Sequence, residues 1–357
     1  MSNHQTLVLG IESSCDETSC ALVADGAEVL SNSVASQIEL HARFGGVVPE
    51  VASRAHIEAI NSVIDQALSD AGVAPAEVSA VAVTHEPGLI GSLLVGLMAA
   101  KTLAWVWDVP LIGVNHVYAH AYAARLNEPP IEYPAVALIC SGGHTALYRC
   151  ESPTEMELLG STIDDAAGEA FDKVASILEL GYPGGPAIDR AAQQGDPTAV
   201  EFPRVLLKGQ SLDFSFSGLK TSVLYHVNGP PTPKRPRPGE PADPPREYGI
   251  HTFSAEEVND IAASFQTAVV DVMRIKLRRA IRQTGAKTIL LGGGVAANSA
   301  LRFAADQLAE KLRCKLRKPA MPFCMDNAAM IAGLGYHYLR AGVRHSWDLA
   351  ASPTVRR

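Results

Sequence analysis

Two histidines four residues apart, in Asn115-His116-Val117-Tyr118-Ala119-His120, carry the clearest chemistry in the sequence. On an α-helix, side chains at i and i+4 leave the same face, so both imidazoles can address one metal ion. Far downstream, Cys324-Met325-Asp326-Asn327 sets a carboxylate at the mouth of another apolar helical run, a third ligand for the same ion. Two imidazoles and one carboxylate leave coordination positions open, which a catalytic metal needs and a structural one does not. Such a histidine pair is also an ordinary polar helix face. Its company favours a site, because glycine-rich turns recur between apolar strand-like runs and other elements.

Those turns suit anionic ligands, since glycines let backbone N–H groups approach without a Cβ in the way. Ser141-Gly142-Gly143-His144 lies between two strand-like runs, as a phosphate-cradling hairpin would. Gly292-Gly293-Gly294-Val295-Ala296-Ala297-Asn298 follows a strand and opens a helix, a context for a nucleotide's ribose or base. Neither is GxGxxG or a Walker A sequence, which argues against a dinucleotide site or a P-loop. Asp165, Glu169 and Asp172 fall at helical spacing near a helix start, where acids are expected from the dipole alone. Asp172 could nonetheless accept bonds from a ribose. Tyr182-Pro183-Gly184-Gly185-Pro186-Ala187-Ile188-Asp189 is a rigid turn ending in a carboxylate, suited to ribose hydroxyls or to turn chemistry.

The elements that must position these groups follow one grammar, used twice. Apolar runs predict strands over 6–11, 19–23 and 28–34, a helix over about 51–68, a strand over 80–84 and a helix from about Leu89. The pattern restarts with strands over 135–140, 145–150 and 156–161. Helices then begin near Ala167, Gly185 and Ser254, followed by a strand over 288–291, a helix from Ala296, a further strand and a terminal helix near 327–339. Strand–turn–strand–strand–helix in duplicate predicts a two-lobed α/β protein. The expected lobes are 1–133, with 325–357 returning to it, and 134–324. Gly229 to Arg246 holds 8 of the 23 prolines together with Lys234, Arg235 and Arg237, so 229–246 reads as an extended insertion in the second lobe, either inert or a basic arm.

Composition agrees. With 357 residues, 47% hydrophobic and 19% charged, the chain can bury two cores. No run approaches the roughly 18 apolar residues of a membrane span, and the polar Met1 to Gln5 is no secretory signal, so a soluble cytoplasmic protein is expected. The six cysteines form no CxxC pair and read as buried thiols. A net charge of −8 argues against broad, non-specific affinity for nucleic acid. Local patches remain open to RNA or to solvent alone: Lys276, Arg278, Arg279 and Arg282 on one helix, and Arg313, Lys315 and Arg317 alternating along a strand.

Taken together, these segments resemble the TsaD family, the transferase subunits that make threonylcarbamoyladenosine in tRNA, once described as O-sialoglycoprotein endopeptidases. The likeness runs in family order from Gly10-Ile-Glu-Ser-Ser-Cys-Asp-Glu-Thr18 through Gly45-Gly-Val-Val-Pro-Glu50, Asn115 to His120, Ser141 to Thr145, Asp164 to Lys173, Gly181 to Asp189, Phe214-Ser-Phe-Ser-Gly-Leu-Lys220 and Gly292 to Asn298 to Asp326-Asn-Ala-Ala-Met330. It implies the two-lobed actin/Hsp70/sugar-kinase (ASKHA) fold. It implies His116, His120 and Asp326 as metal ligands, with Fe2+ the family's metal and Zn2+ the alternative the ligand set allows. Ile139, Cys140, Ser141, Gly142, Gly143, Asp172, Gly185, Asp189 and Asn298 match its adenylate contacts, and Glu12 an acidic residue near the reacting centre, the candidate general base. The reaction implied is transfer of threonylcarbamoyl from threonylcarbamoyl-AMP to N6 of adenosine 37 in tRNAs reading codons that begin with A. The partners implied are tRNA, an inactive paralogue of the same fold (TsaB-like) and a P-loop ATPase (TsaE-like), with no membrane. Glu86 and Ala119 stand where the family usually carries glycine, and Met325 where a small hydroxyl residue is common. A metalloprotease lacks support, because HExxH would place a glutamate where Val117 stands. A sugar or acetate kinase would not need the histidines, and an idle scaffold would not keep all three ligands.

Overall fold

The computed structural model describes residues 5–230 and 248–354. Of the proline-rich stretch only Gly229 and Pro230 fall within these, so Lys234, Arg235 and Arg237 lie outside the described residues. The first half contains β1 (Leu7–Glu12), β2 (Glu17–Ala24), β3 (Glu28–Ser36), α1 (Ile38–Ala42), α2 (Pro49–Ala71), β4 (Ala80–Glu86), α3 (Ile90–Val106), β5 (Leu111–Asn115) and α4 (His116–Tyr122). The second contains β6 (Ala135–Cys140), β7 (Thr145–Ser152), β8 (Glu155–Ser161), α5 (Ala167–Ile177), α6 (Gly184–Ala192), α7 (Ser217–Asn228), α8 (Ala255–Thr284), β9 (Thr288–Gly292), α9 (Ser299–Leu312), β10 (Lys315–Arg317) and α10 (Ala328–Arg340).

The two halves repeat one sheet. The first is ordered β3-β2-β1-β4-β5 and the second β8-β7-β6-β9-β10. In each, three strands form an antiparallel meander and two more add in parallel through helical crossovers. The duplicated architecture expected from the sequence is therefore present as two copies of one topology. β1, β2, β6 and β9 are buried along almost their whole length, as central strands covered on both faces must be, and the edge strand β5 is buried as well. The helix α10 packs on β1 of the first sheet. A Cβ on Gly10 would stand 2.3 Å from the Ala328 carbonyl oxygen, so only glycine lets the start of α10 lie this close to β1. That approach brings Asp326 beside α4.

Four elements differ from the sequence reading, one of them α1, a five-residue helix with no expected counterpart. β5 is a five-residue strand, too short to show alternation, and has no counterpart among the expected strands. α7 forms within the Phe214 to Lys220 segment and beyond, where Ser, Thr and Gly weaken the helical signal. α9 begins at Ser299 rather than Ala296, because Gly294–Ala297 makes a tighter 3-10 turn and Asn298 then caps the helix by accepting from the Leu301 N–H at 2.9 Å. All six cysteines are free, four of them buried. No helix among the described residues is long and apolar enough to cross a membrane.

Candidate metal centre and ligand cleft

The histidine pair is positioned by the residue before it. The Asn115 side chain accepts from the N–H groups of Val117 at 2.9 Å and Tyr118 at 3.2 Å, starting α4 at His116. Both imidazoles then point to one side, their ring centroids 4.6 Å apart and nearly perpendicular. Asp326 meets them from the start of α10: its Oδ1 lies 3.1 Å from His120 Nε2 and 3.5 Å from His116 Nε2. Asn327 fixes that approach, donating to the Met325 carbonyl at 2.8 Å while its own oxygen caps Met330. The three ligand-type atoms lie within 4.8 Å of one another, and both histidines are buried. The helical spacing and the distant aspartate thus converge as expected.

The electrostatics of this cluster call for a cation. Burial alone would push the His116 imidazole down, yet the carboxylates of Glu12 and Asp326 pull it up to about 9. Burial would raise Asp326, but His116 and then His120 hold it well below the usual carboxylate range. Buried Glu12 and partly exposed Asp326 facing two imidazoles match a divalent ion, and buried His120 Nδ1 has no partner among the described residues. The donor set and the charge therefore fit a metal.

Glu12 does not face the cleft as expected. It is fully buried. Its Oε1 accepts from the Ser14 N–H at 2.6 Å, and its Oε2 from the Thr84 hydroxyl at 2.6 Å and from His116 Nδ1 at 2.8 Å. Burial raises its pKa, but His116 and the hydrogen bonds bring the balance below the ordinary glutamate value. With both oxygens engaged, it lies behind His116 and turns that ring's Nε2 toward Asp326, the arrangement of a carboxylate that orients a metal-binding histidine.

Opposite the cluster, the second lobe supplies a backbone cradle. In the turn after β6 the Ser141 N–H donates to the His144 carbonyl at 2.7 Å, while Gly142 and Gly143 face open space. Ile139 and Cys140 are fully buried in the core, so any ligand contact from them must come through the main chain. The Asp172 carboxylate accepts from the Gly184 N–H at 2.7 Å, and burial raises its pKa. Gly185 is open. Asp189 accepts from the Ser299 hydroxyl at 2.7 Å and from Asn298 Nδ2 at 3.3 Å, so Asp189 and Asn298 are joined at the start of α9. The lobes meet where Gly292 lacks a Cβ: one added there would fall 2.3 Å from the His120 carbonyl oxygen.

Two residues that the sequence reading did not single out belong here. His144 closes the glycine turn; its ring, largely buried, feels His116, His120 and Asp326, and burial brings its pKa down to about 4. Asp16 bridges the lobes electrostatically, raised by burial and by Asp326 while itself raising Asp172. Both lie inside the family-like segments Gly10 to Thr18 and Ser141 to Thr145, but their direction depends on how the two lobes close. One expected patch is corrected. Lys276 is fully buried, its ammonium donating to the carbonyls of Leu206 at 2.6 Å and Ser211 at 2.7 Å, so it is closed to RNA. Burial, then the charge of Arg279, push it down to about 8. Arg282 is exposed, and Arg313 and Lys315 are exposed on the edge strand segment.

Fold and site define a class: a two-lobed α/β protein of the actin/Hsp70/sugar-kinase type with a metal-fitting cluster facing a glycine cradle. The fold is shared with component A of (R)-2-hydroxyglutaryl-CoA dehydratase from Acidaminococcus fermentans, at TM-score 0.51 and 17% identity over 94% of this chain and 99% of that one. It is shared also with HypF of T. kodakarensis, at TM-score 0.59 and 15% identity over 95% of this chain and 48% of that one. The profile of the TsaD family, tRNA N6-adenosine threonylcarbamoyltransferase, matches residues 28–333. Relatives of that name from Trichlorobacter lovleyi (50% identical over 349 residues, covering 98% of this chain and 96% of that one) and Symbiobacterium thermophilum (52% over 347 residues, 97% and 96%) extend the likeness along nearly the whole sequence. The chain belongs to the tRNA N6-adenosine threonylcarbamoyltransferase family.

Proposed function

We propose that this chain transfers the threonylcarbamoyl group of threonylcarbamoyl-AMP to N6 of adenosine 37 in tRNAs reading codons that begin with A, releasing AMP. The observation that carries the reading is the convergence of His116, His120 and Asp326 beside the open backbone of Ser141–Gly143, where Gly292 lets the two lobes meet at His120. The donor is a mixed carbamic–phosphoric anhydride, already activated, so no protein nucleophile is needed. The chain's work is orientation and charge neutralisation.

In this reading the N–H groups of the Ser141–Gly143 turn hold the phosphate, and Asp172, Gly185, Asp189 and Asn298 take the nucleoside. His116, His120 and Asp326 hold one divalent ion, Fe2+ or else Zn2+, which when bound polarises the donor and orients it. Glu12 holds His116 in register rather than removing a proton. The adenine N6 forms a bond to the carbamoyl carbon as the bond to the phosphate oxygen breaks, and the departing phosphate is basic enough to accept the proton that N6 gives up.

The same reading places the chain in the cytoplasm with a catalytically inactive paralogue and a P-loop ATPase. An apolar stripe supports the paralogue: Ile90, Leu94 and Met98, spaced by four on α3, are exposed beside Ile57 of the packed helix α2. The test is AMP release from synthetic threonylcarbamoyl-AMP by the chain with its partners. Release that requires tRNA, and is not replaced by peptides or by sugar and ATP, is expected; tRNA-independent release or peptide cleavage would overturn the reading.

A further inference from the structure

The function above leaves unused an exposed apolar rim next to the metal cluster. Phe303 on the first turns of α9 is 65% exposed, Met321 57% and Met325 49%. Scattered apolar residues on a surface mean little by themselves. The segments that carry these three are tied together. The Arg302 guanidinium donates to the carbonyls of Ala296 at 3.1 Å and Pro319 at 3.2 Å and reaches Cys324 Sγ at 3.8 Å. It thereby stitches the Gly294–Ala297 turn, the start of α9 and the loop before Asp326 into one rim. Lys318 adds a second tie to α9 through Asp306 at 2.6 Å. Met325 lies over Gly294, whose missing Cβ would sit 3.1 Å from the methionine sulfur, and the next residue is the candidate ligand Asp326. Among the described residues, Phe303 has no aromatic partner.

The charge around the rim opposes that of the whole chain. Between Arg302 and Lys318 the sequence carries six cationic side chains and two acidic ones, in a protein of net charge −8. Arg313 and Arg317 pair with no carboxylate among the described residues. β10 lies at the edge of its sheet, and the chain runs from it through the rim to Asp326. An aromatic ring and soft thioethers flanked by cations are the elements that hold single-stranded RNA, through base stacking and phosphate contacts respectively.

We infer that Phe303, with Met321 and Met325, forms a stacking platform for a base of the RNA loop that presents the target adenosine, and that Arg313 and Arg317 hold the adjoining phosphates. An adenine delivered into the cleft must leave its own stack, and a ring at the rim replaces part of what its neighbour loses. This inference rests on the proposed function for the identity of the RNA.

The experiment measures binding of the full chain to a labelled anticodon stem-loop across a salt series, without donor. Phe303→Ala should weaken binding about tenfold or more, while leaving the salt slope and AMP binding unchanged, and Phe303→Trp should restore affinity. Reversing Arg313 and Arg317 to Glu should lower the slope's magnitude by roughly 0.7 for each phosphate no longer held. Unchanged RNA affinity for Phe303→Ala, or no RNA binding by the unaltered chain, overturns the platform. So does weakened binding of the purified paralogue with RNA affinity intact, which would make the rim a protein interface. If the unaltered chain together with the proposed partners transfers nothing to tRNA yet shows Phe303-dependent RNA binding, the platform stands and the transfer reading falls.

Discussion

Replacing Glu12 by Gln should weaken metal binding more than any other change outside the ligands. The glutamate receives three donors, from Ser14 N–H, Thr84 hydroxyl and His116 Nδ1, on its two oxygens. An amide must put an NH2 where one oxygen stood, so at least one donor then faces another donor. The His116 ring loses both its anionic partner and the bond that fixes its tautomer. Removing such an outer carboxylate costs about 10–100-fold in metal affinity, or about 1.4–2.7 kcal/mol. The broken buried bond should cost about 1–3 kcal/mol of stability besides. Chelator competition with Zn2+ and with Co2+, whose visible spectrum reports ligand geometry, measures the first, and thermal melting the second. Transfer should fall in proportion to the fraction of metal-free protein and recover at high metal concentration. If Glu12→Gln binds metal as tightly as the unaltered chain yet transfers a thousandfold more slowly, Glu12 acts on the substrate and the positioning argument is wrong.

Three further outcomes follow from the geometry. His116→Ala should lose bound metal and transfer, and should melt cooperatively but with stability lowered by at least about 1–3 kcal/mol, because buried Glu12 loses its imidazole partner; full metal content in elemental analysis would contradict the ligand assignment. Gly292→Ala should destabilise by at least about 1–3 kcal/mol by overpacking, because its Cβ would meet the His120 carbonyl oxygen at 2.3 Å, and an unchanged melt would mean that the contact is slack. Lys276→Met should destabilise by about 1–3 kcal/mol by orphaning the Leu206 carbonyl, while the Ser211 carbonyl keeps its bond from Arg279 at 3.2 Å. The folded protein releases this lysine's proton near pH 8 and the unfolded chain only near 10.5, so the unfolded state binds more protons between those values. The parent's stability relative to Lys276→Met should therefore rise with pH across that window, and parallel pH profiles would show that the amine is not held as described.

Much of this was legible in the sequence because it is local or repeated. The doubled strand pattern predicts the two matching sheets, and the i, i+4 spacing of His116 and His120 requires only that α4 be a helix. Asp326 is placed by its position ahead of an apolar run, and Asn327 does cap that helix. What the sequence conceals is direction across long separations. Glu12 reads as a free acid in a polar turn, but Thr84 and His116, both far along the chain, enclose it. Lys276 reads as one of a cationic cluster; only the carbonyls of the 206–211 segment, remote in sequence, explain why a charge there is buried. His144 and Asp16 gain their meaning from lobe closure, which no periodicity records. Short β5 and the Ser-rich start of α7 are set by packing rather than by propensity.

The central claim is that this cleft delivers a threonylcarbamoyl group to one tRNA adenosine. Its most direct test is mass spectrometry of nucleosides and RNase fragments from unmodified tRNA after incubation with threonylcarbamoyl-AMP, the metal-loaded chain and the two proposed partners. The account predicts threonylcarbamoyladenosine at adenosine 37 alone, formed with the parent chain and absent with His116→Ala. Unmodified adenosine with the parent chain, or equal modification by His116→Ala, would contradict it.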